Sequence, residues 1–236
     1  MDISVVIPAF NEASNIRNTI NKVRSYLVNK GLTYEIIVVD DGSRDNTINI
    51  LESLDYPELK ILGNGRNYGK GYSVKHGMLN ANGDAVLFTD ADLSTPIEEI
   101  DKFLPGLSSY DVVVGSRRMQ DSDIRIKQPF YRIFLGRTFS LLVSKISKSK
   151  IKDTQCGFKI FRNPVAKEIF KRQKLNGFAF DVEILFIASL LNYKVKELPV
   201  KWFNNKKSKV NPIIDPLKML KDILKVRWNY IKGKYN

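Results

Sequence analysis

Two aspartates separated by one residue, Asp90 and Asp92, directly follow an apolar run at residues 85–89. Such a run predicts a buried strand, so both carboxylates can point into a crevice at its end. Carboxylate oxygens bind hard divalent cations such as Mg2+ or Mn2+, which can in turn neutralise a diphosphate leaving group. The alternative is a solvated turn with helix-capping aspartates. The position after a buried strand favours the metal site.

A second acidic cluster, residues 40–43, also follows an apolar run. The carboxylates of Asp40 and Asp41 can accept hydrogen bonds from a base or a ribose, and Gly42 lets the backbone approach a ligand closely. The alternative, an ordinary turn with a helix cap at Asp45, leaves Asp40 unexplained.

The first predicted strand ends in a third turn, at residues 8–12. The Phe10 ring could flank a base there, and the Glu12 carboxylate could accept a hydrogen bond from a ribose hydroxyl. By itself this segment indicates only a turn.

A glycine-rich segment at residues 63–71 lacks the features of a phosphate-binding loop. Its spacing is not GxGxxG, and Lys70 is followed by glycine rather than by serine or threonine. We expect a flexible loop in which Lys70 either contacts a phosphate or is solvated. A single histidine, His76, argues against a histidine triad or a zinc site, and the single cysteine, Cys156, is more simply a core thiol.

A dense polar segment at residues 153–159 lies between apolar stretches. It is either a well hydrogen-bonded structural loop or part of a site. For Asp153, a role in orienting a phosphate or a cation stands equally beside a carboxylate that accepts hydrogen bonds from its own loop. Arg117 and Arg137 are candidates for binding phosphate, because the guanidinium fork fits phosphate oxygens.

The first half of the chain can position these residues, because it alternates apolar runs with segments of helical spacing. We predict strands at residues 3–8, 35–39, 59–62, 85–89 and 112–114. We predict helices at residues 13–28, 45–54, 73–80 and 97–104. The alternation implies a doubly wound, mostly parallel α/β sheet, whose ligands sit beyond the carboxyl ends of the strands. The polar clusters fall at those ends.

The second half of the chain is apolar and basic together. We predict helices at residues 130–146 and 178–191, a strand at residues 195–202, and an amphipathic helix from Leu217 onward. Its apolar stripe and basic flanks are Leu217, Leu220, Leu224, Trp228 and Ile231, with Lys218, Lys221, Lys225 and Lys232. We expect residues 130–146 and 217–231 to lie in a membrane interface as amphipathic helices. The alternative is that the stripe packs on the protein's own core.

The 236 residues carry a formal net charge of +13, and the basic excess lies in the second half. Residues 1–116 hold 10 basic and 16 acidic side chains, whereas residues 117–152 and residues 201–236 each hold 10 basic and 2 acidic ones. Such blocks suit a nucleic acid, an anionic membrane or substrate phosphates, although a solvated surface is the simpler alternative. Nucleic acid leaves the convergent aspartates unexplained, because carboxylates repel a polyanion.

Composition narrows the class of protein. A hydrophobic content of 43% supports a full core, and one cysteine excludes a disulfide framework. The longest stretch without a charged residue is residues 184–193, whereas a membrane-spanning helix needs about 20 apolar residues. We also find no secretory signal, and therefore expect a protein that faces the cytosol.

Together these segments resemble the polyprenyl-phosphate sugar synthases of glycosyltransferase family 2, in particular their dolichyl-phosphate β-glucosyltransferase branch, over nearly the whole chain. Residues 8–12, 40–43, 66–71, 90–92 and 115–117 resemble the nucleotide-sugar half of that family. The string DTQCGFK at residues 153–159, followed by FDVE at residues 180–183, is distinctive. Two departures stand out: Ser94 replaces a glutamine frequent in mannose synthases, and the membrane-spanning segments of many relatives are missing.

The resemblance implies a GT-A-type fold, a UDP- or GDP-sugar donor, Mg2+ or Mn2+, inversion at the anomeric carbon and a lipid phosphate acceptor. By position, the residues that would hold the donor are Pro8, Phe10, Glu12, Val39, Asp40, Asp41, Lys70, Asp90, Ala91, Arg117 and Lys209. Asp90 and Asp92 would hold the metal. The lipid phosphate would be held by Arg117, Arg137 and Ser140. Catalytic roles would fall to Asp92, Asp153 and Arg137.

We therefore expect an inverting transferase that moves glucose from UDP-glucose to dolichyl or another polyprenyl phosphate, as a peripheral protein on the cytoplasmic side of a membrane. The alternatives are GDP-mannose as donor, or a family 2 transferase with another acceptor. Residues 1–117 would form the nucleotide-sugar half, residues 118–211 the acceptor side of the same domain, and residues 212–236 the basic helix. We expect no nucleic-acid partner, and homo-oligomerisation stays open.

Overall fold

The computed structural model describes residues 1–124, 151–203 and 214–235. Its strands are β1 (Ile3–Ala9), β2 (Tyr34–Asp40), β3 (Leu59–Gly63), β4 (Ala85–Thr89), β5 (Val112–Ser116), β6 (Asp123–Ile124), β7 (Phe158–Arg162), β8 (Val195–Pro199) and β9 (Lys201–Trp202). Its α-helices are α1 (Ile16–Asn29), α2 (Thr47–Glu52), α3 (Lys70–Asn80), α4 (Ile100–Phe103), α5 (Asn163–Arg172), α6 (Phe180–Leu190) and α7 (Ile214–Ile231).

Seven of the described strands form one sheet in the order β3-β2-β1-β4-β7-β5-β8. Neighbouring strands are parallel except at β7, which runs antiparallel to both β4 and β5. The other two described strands, β6 and β9, pair in parallel with each other. The predicted α/β class with a mostly parallel sheet is therefore confirmed. Because Ala9 pairs with Asp40, the carboxyl ends of β1 and β2 lie side by side.

Both faces of this sheet are buried against helices, which explains why its central strands are almost continuously apolar. Along β1, Val6 packs into one core with residues of α3, α5 and α6. Val5 and Ile7 point the other way, into a second core that includes residues of α1. The strand ends that carry the polar clusters are thus supported from two sides.

The prediction assigned no regular structure to residues 160–172, where the structure has most of β7 and all of α5. A lysine near the start of β7 hides the strand pattern, because its charge interrupts an apolar run. Lys159 is nevertheless wholly buried, between Phe158 and Ile160. Its ammonium is stabilised there by an ion pair with Asp181, at 2.5 Å. A buried charge of this kind needs a partner from another element, which the local pattern does not reveal.

Several predicted boundaries also differ from the structure. The helix expected at residues 97–104 is a short 3-10 turn, Ile97–Glu99, followed by α4. The strand expected at residues 195–202 is two strands, because β8 pairs with β5 whereas β9 pairs with β6. Helix α3 begins at Lys70, three residues earlier than predicted, so Lys70 stands in its first turn rather than in a flexible loop.

Helix α7 packs one of its sides on the rest of the protein. Ile223 and Val226 are buried, and the Tyr230 ring meets Phe186 of α6 edge-on at a centroid distance of 5.5 Å. Just beyond the helix, the Tyr235 hydroxyl donates a hydrogen bond of 2.6 Å to Glu183, also on α6. These contacts fix the helix against α6.

The apolar stripe predicted on this helix lies on its other side. Its described members are Leu220, Leu224, Trp228 and Ile231, which are 37%, 59%, 59% and 65% exposed. The alternative that these four side chains form part of the core is therefore wrong. The helix expected at residues 130–146 lies outside the described residues, and within the described ranges no helix is long and apolar enough to cross a bilayer.

Candidate active site

Polar side chains from the carboxyl ends of β1, β2, β4 and β5 converge on one edge of the sheet. Parallel pairing of β1 with both β2 and β4 brings the turns at residues 8–12, 40–43 and 90–95 together. Backbone contacts join the first two turns: Asn11 donates from its N–H to Ser43 Oγ, at 2.9 Å, and its Oδ1 accepts from the Arg44 N–H, at 2.8 Å. The polar clusters therefore lie side by side along this edge of the sheet, which we call the crevice.

Asp90 leaves the end of β4 and forms an ion pair with Lys70 of α3, with 2.5 Å between Oδ1 and Nζ. Its side chain is 34% exposed. Burial alone would lower the pKa of the Lys70 ammonium, but Asp90 and the nearby Asp181 raise that pKa above its usual value. The carboxylate also needs the glycine at position 157, because a Cβ there would lie 2.0 Å from Asp90 Oδ2.

Asp92 lies two residues further along the same turn and is partly buried. Its Oδ1 accepts a hydrogen bond from the Ser94 N–H at 2.9 Å, and Leu93 adopts a positive φ of 47°. Ala91 is buried between the two aspartates, and its carbonyl accepts from the Thr19 hydroxyl at 2.6 Å. The turn is thus fixed from both sides, with its carboxylates on the crevice.

These residues fit a divalent cation that is held mainly by its substrate. Across the described ranges, no group of three or more His, Cys, Asp or Glu side chains could hold a metal ion. Mg2+ is commonly bound through one or two carboxylates plus substrate phosphates and water, and the two carboxylates of this turn, Asp90 and Asp92, match that donor set. The Lys70 ammonium on Asp90 shows that this carboxylate already takes a cation as its partner.

Asp40 and Asp41 play different parts, although they are adjacent. Asp40 Oδ2 accepts from the N–H groups of Gly42 and Ser43, each at 3.0 Å. Its Oδ1 is buried and, among the described residues, has no hydrogen-bond partner. A buried carboxylate oxygen without a donor is costly, so this atom is suited to accept from a ligand.

The Asp41 carboxylate is fully engaged with the protein. Its Oδ1 accepts from Asn64 Nδ2 and from the Tyr68 N–H, at 2.8 and 3.0 Å. Its Oδ2 accepts from the Gly69 N–H at 2.8 Å. Asp41 thus fixes the loop that precedes α3, and the expected flexible loop is anchored at its centre and its end.

The other candidate residues lie on or just after β1 and β2, and the Val39 side chain is wholly buried in the core on the α3 side of the sheet. Pro8 and Val39 are register partners on β1 and β2. Phe10 is half-buried. The Glu12 N–H donates to Thr47 Oγ1 at 2.8 Å, and Glu12 Oε2 accepts from Asn15 Nδ2 at 2.9 Å.

Arg117 follows β5 and is held by Asp153. Its Nε donates to Asp153 Oδ2 at 2.7 Å, and its Nη2 donates to Oδ1 at 2.9 Å. The Arg117 N–H also donates to Oδ2 at 2.9 Å, and the Trp202 ring lies 5.4 Å from the guanidinium carbon. Burial alone would raise the pKa of the Asp153 carboxyl, but Arg117 holds it well below its usual range. Asp153 thus orients the arginine, from a loop fixed by Glu197 at 2.8 Å.

Two charged residues beneath the crevice escaped the site prediction. Lys159 Nζ donates to the Cys156 carbonyl at 2.6 Å and to Asp181 Oδ1 at 2.5 Å, and both charged side chains are buried. Lys159 belongs to the DTQCGFK string and Asp181 to the FDVE string, and neither residue was predicted to have a role. Burial raises the pKa of Cys156 to about 11, which agrees with the predicted core thiol. Arg137, Ser140 and Lys209 lie outside the described residues.

Comparisons with known proteins agree on one family of enzymes. The model of glycosyl transferase family 2 matches residues 4–170. Dolichyl-phosphate β-glucosyltransferase of Dictyostelium discoideum is 34% identical over 98% of this chain and 75% of its own, and the Saccharomyces cerevisiae protein of that name is 35% identical over 99% and 76%. A crystal structure of Mycobacterium tuberculosis glucosyl-3-phosphoglycerate synthase, in complex with Mn2+ and UDP-glucose, has a TM-score of 0.71 at 16% identity and covers 96% of this chain and 78% of its own. At that identity, the structural likeness shows a shared GT-A fold.

Proposed function

The chain belongs to glycosyltransferase family 2, and we propose that it transfers glucose from UDP-glucose to the phosphate of dolichol or a related polyprenol, with inversion at the anomeric carbon. The observation that carries the proposal is the convergence of Asp90 and Asp92 with the oriented guanidinium of Arg117 at one sheet edge. Two carboxylates suit a divalent cation, and a guanidinium suits phosphate oxygens. The names of relatives at 34% and 35% identity support the sugar and the acceptor.

The donor nucleotide would lie across the ends of β1 and β2. Asp40 Oδ1 would accept from an N–H of the base, because that buried oxygen has no partner within the described part of the chain. Phe10 would flank the base, and Glu12 would accept from a ribose hydroxyl. Pro8 and the backbone of Val39 would form the wall behind them. Asp41 would act indirectly, through the loop that it holds.

The diphosphate would meet the end of β4. Asp90 and Asp92 would hold Mg2+ or Mn2+, which when bound would neutralise the leaving diphosphate. Lys70 and Lys209 would supply further positive charge to the same group, and Ala91 would line the turn. Mn2+ together with UDP-glucose in the structurally similar synthase supports this arrangement.

The lipid phosphate acceptor needs positive charge to position it, and it needs no general base to deprotonate it. A phosphate oxygen of the lipid attacks the anomeric carbon of glucose, and the bond from that carbon to the diphosphate breaks, with its electron pair leaving on UDP. The attacking group is already anionic, so the absence of a histidine other than His76 is no obstacle. Arg117, Arg137 and Ser140 would hold this phosphate, and Asp153 would keep Arg117 in position.

The exposed stripe of α7 would bring the chain to its lipid substrate. Leu220, Leu224, Trp228 and Ile231 are exposed on a helix that also carries Lys218, Lys221, Lys225 and Lys232. Exposed apolar side chains between lysines suit the interface of an anionic membrane, where each basic residue contributes about 1 kcal/mol. The chain would attach peripherally to the cytoplasmic face, and homo-oligomerisation is no part of the proposal.

This assignment divides the chain by task. Residues 1–117 would bind the nucleotide sugar, residues 118–211 would complete the acceptor side of the same domain, and residues 212–236 would contact the membrane. Strand β7 lies between β4 and β5, so the first two ranges share one sheet.

The donor can be tested with a panel of UDP- and GDP-sugars in the presence of polyprenyl phosphate. We expect release of UDP from UDP-glucose at a rate well above that for any other sugar nucleotide. Preferential release of GDP from GDP-mannose would favour the second candidate, a mannose synthase. Asp92→Asn should abolish release while its thermal melt stays native, because the remaining carboxylate cannot hold the cation alone.

A further inference from the structure

The Lys70 ammonium is paired with Asp90, one of the two carboxylates that would hold the divalent cation. Lys70 Nζ is 2.5 Å from Asp90 Oδ1, and both side chains are partly exposed to the crevice. Asp181 and Asp92 are the next carboxylates that act on this amine. Asp181 is already paired with buried Lys159, so among these five side chains three carboxylates face two ammonium groups, and one net negative charge remains.

The backbone of Lys70 is fixed by the glycines on either side of it. Gly69 has a φ of +103°, and a Cβ there would lie 2.6 Å from the Asn176 carbonyl oxygen. A Cβ on Gly71 would lie 2.7 Å from the Cβ of Phe180. The first turn of α3 is therefore clamped on the turn before α6, and the ammonium can change partner only by a swing of its own side chain.

We propose that Lys70 is an internal counter-ion that occupies the Asp90 carboxylate until the donor binds, and that it then transfers to the donor diphosphate. The ammonium and a divalent cation compete for Asp90, because two cations within a few ångströms repel each other strongly. The diphosphate relieves this competition by offering the amine charge-assisted hydrogen bonds. The inference rests on the proposed function, because it assigns the diphosphate to a nucleotide sugar.

One consequence is that the metal and the nucleotide bind cooperatively. The protein without nucleotide binds the metal weakly, since Lys70 holds its ligand. Nucleotide diphosphate draws the ammonium away and strengthens metal binding, and by linkage the metal strengthens nucleotide binding by the same factor. Lys70 is thus a positioning residue that makes the two ligands arrive together.

The test is to measure Mn2+ binding to the full chain without nucleotide. Binding is monitored through the electron paramagnetic resonance signal of free Mn2+, which falls as the metal binds. We expect Lys70→Met to bind Mn2+ at least about tenfold more tightly than the parent, because the competing charge is gone. Lys70→Arg keeps the charge and should stay as weak as the parent. Lys75→Met is the matched control on α3: its ammonium donates to the Gln173 carbonyl at 2.8 Å, and its affinity for Mn2+ should be that of the parent.

Two further measurements complete the test. In excess chelator, UDP should bind Lys70→Met more weakly than the parent, because an amine contact to the diphosphate is lost. Adding Asp90→Asn to Lys70→Met should remove the tight Mn2+ site. If Lys70→Met fails to give a native melt, Lys70→Gln replaces it, since its amide keeps hydrogen bonding without the charge.

Equal or weaker Mn2+ binding by a natively folded neutral variant would overturn the proposal. Retention of the tight site after Asp90→Asn would overturn it as well, because the metal would then bind elsewhere. None of these measurements uses glucose or a lipid acceptor. Failure of the glucose-transfer assay would therefore contradict the proposed function and leave the Mn2+ results standing.

Discussion

The Arg117 guanidinium is oriented by groups from two other parts of the chain. Asp153 accepts two hydrogen bonds from the Arg117 guanidinium and one from the Arg117 backbone N–H. The Trp202 ring of β9 lies against the guanidinium. A guanidinium held in this way keeps one orientation, whereas a lysine on the surface samples many side-chain conformations. Because Asp153 uses both oxygens on Arg117, we assign it to positioning rather than to contact with substrate.

Replacing Asp153 should therefore destabilise the fold near neutral pH and make its unfolding free energy less dependent on pH in acid. Asp153→Asn leaves a largely buried guanidinium without its counter-charge, so we expect a loss of about 3 kcal/mol in unfolding free energy at pH 7. The pKa of Asp153 is lowered in the folded protein. Its contribution is therefore fully present above the unfolded carboxyl pKa of about 3.9, and is lost as pH falls from about 5 toward the folded value.

Urea unfolding between pH 3 and pH 7 measures this dependence. The parent should lose unfolding free energy on acidification more steeply than Asp153→Asn. Asp55→Asn, an exposed aspartate, serves as the control and should follow the parent. If Asp153→Asn had the parent's slope below pH 5, the ion pair would not stabilise the protein as we argue.

Asp40 and Asp41 illustrate what the sequence predicts about single residues and what it does not. Their types and their position after a strand predicted a polar site, and the structure puts both at the crevice. The Asp41 carboxylate is occupied by hydrogen bonds from Asn64, Tyr68 and Gly69, which belong to a loop more than twenty residues away. The Asp40 carboxylate receives none of these bonds. Local pattern cannot predict which of two adjacent carboxylates a distant loop will occupy.

The turn that leads from Asp153 into β7 is packed directly against Asp90, which gives a test by a single methyl group. A Cβ at position 157 would lie 2.0 Å from Asp90 Oδ2. Gly157→Ala should therefore displace the carboxylate and lower kcat for glucose transfer by about tenfold or more, since small displacements at a reacting centre are costly. Turnover numbers with UDP-glucose and polyprenyl phosphate provide the measurement.

Gly63→Ala is the matched control for this change. Among the described atoms, none lies within 4 Å of a Cβ at that position. Its turnover and its melting temperature should equal those of the parent. A Gly157→Ala protein with the parent's kcat would show that the placement of Asp90 does not limit the reaction.

Helix α7 should attach the chain to lipid through its exposed stripe. Replacing Leu224 and Trp228 by serine removes apolar area from that stripe and leaves the buried Ile223 and Val226 untouched. We expect the double variant to lose most of its flotation with anionic liposomes. The parent should float at low salt and partly at high salt, because screening weakens only the electrostatic attraction.

Val28→Ser is the control for this experiment, because Val28 is 51% exposed on α1, away from the basic helix. It should float like the parent. Undiminished flotation of the α7 variant would place the membrane contact elsewhere, and absence of flotation by the parent at low salt would refute a peripheral attachment through this face.

Elements with an uninterrupted local signal were predictable, and those that depend on a distant partner were not. The strands before the two acidic clusters were close to their predicted bounds, because both faces are buried and every residue type agrees. Strand β7 was missed because Lys159 breaks its apolar pattern, and only Asp181, from α6, explains how that lysine is buried. The amphipathic C-terminal helix was predicted, but its second, core-facing side was not.

The molecule as a whole joins its acidic crevice to its basic helix through α6. Asp181 on that helix pairs with Lys159 beneath the crevice, and Glu183, two residues later, accepts from Tyr235 just beyond α7. Burial raises the pKa of Glu183, although its hydrogen bonds oppose that shift. The charge division seen in the sequence thus becomes a division in space between a carboxylate-lined site and an exposed lysine-flanked helix.

The most direct test of the account is the formation of a glucosylated lipid. The purified chain would be incubated with UDP-glucose labelled in the sugar, a polyprenyl phosphate in detergent and Mn2+, and label would be counted in the organic phase. We predict that label passes to the lipid in equal amount to the UDP released, and that Asp92→Asn and excess chelator each abolish the transfer. UDP release without label in the lipid, or full transfer in chelator, would contradict the account.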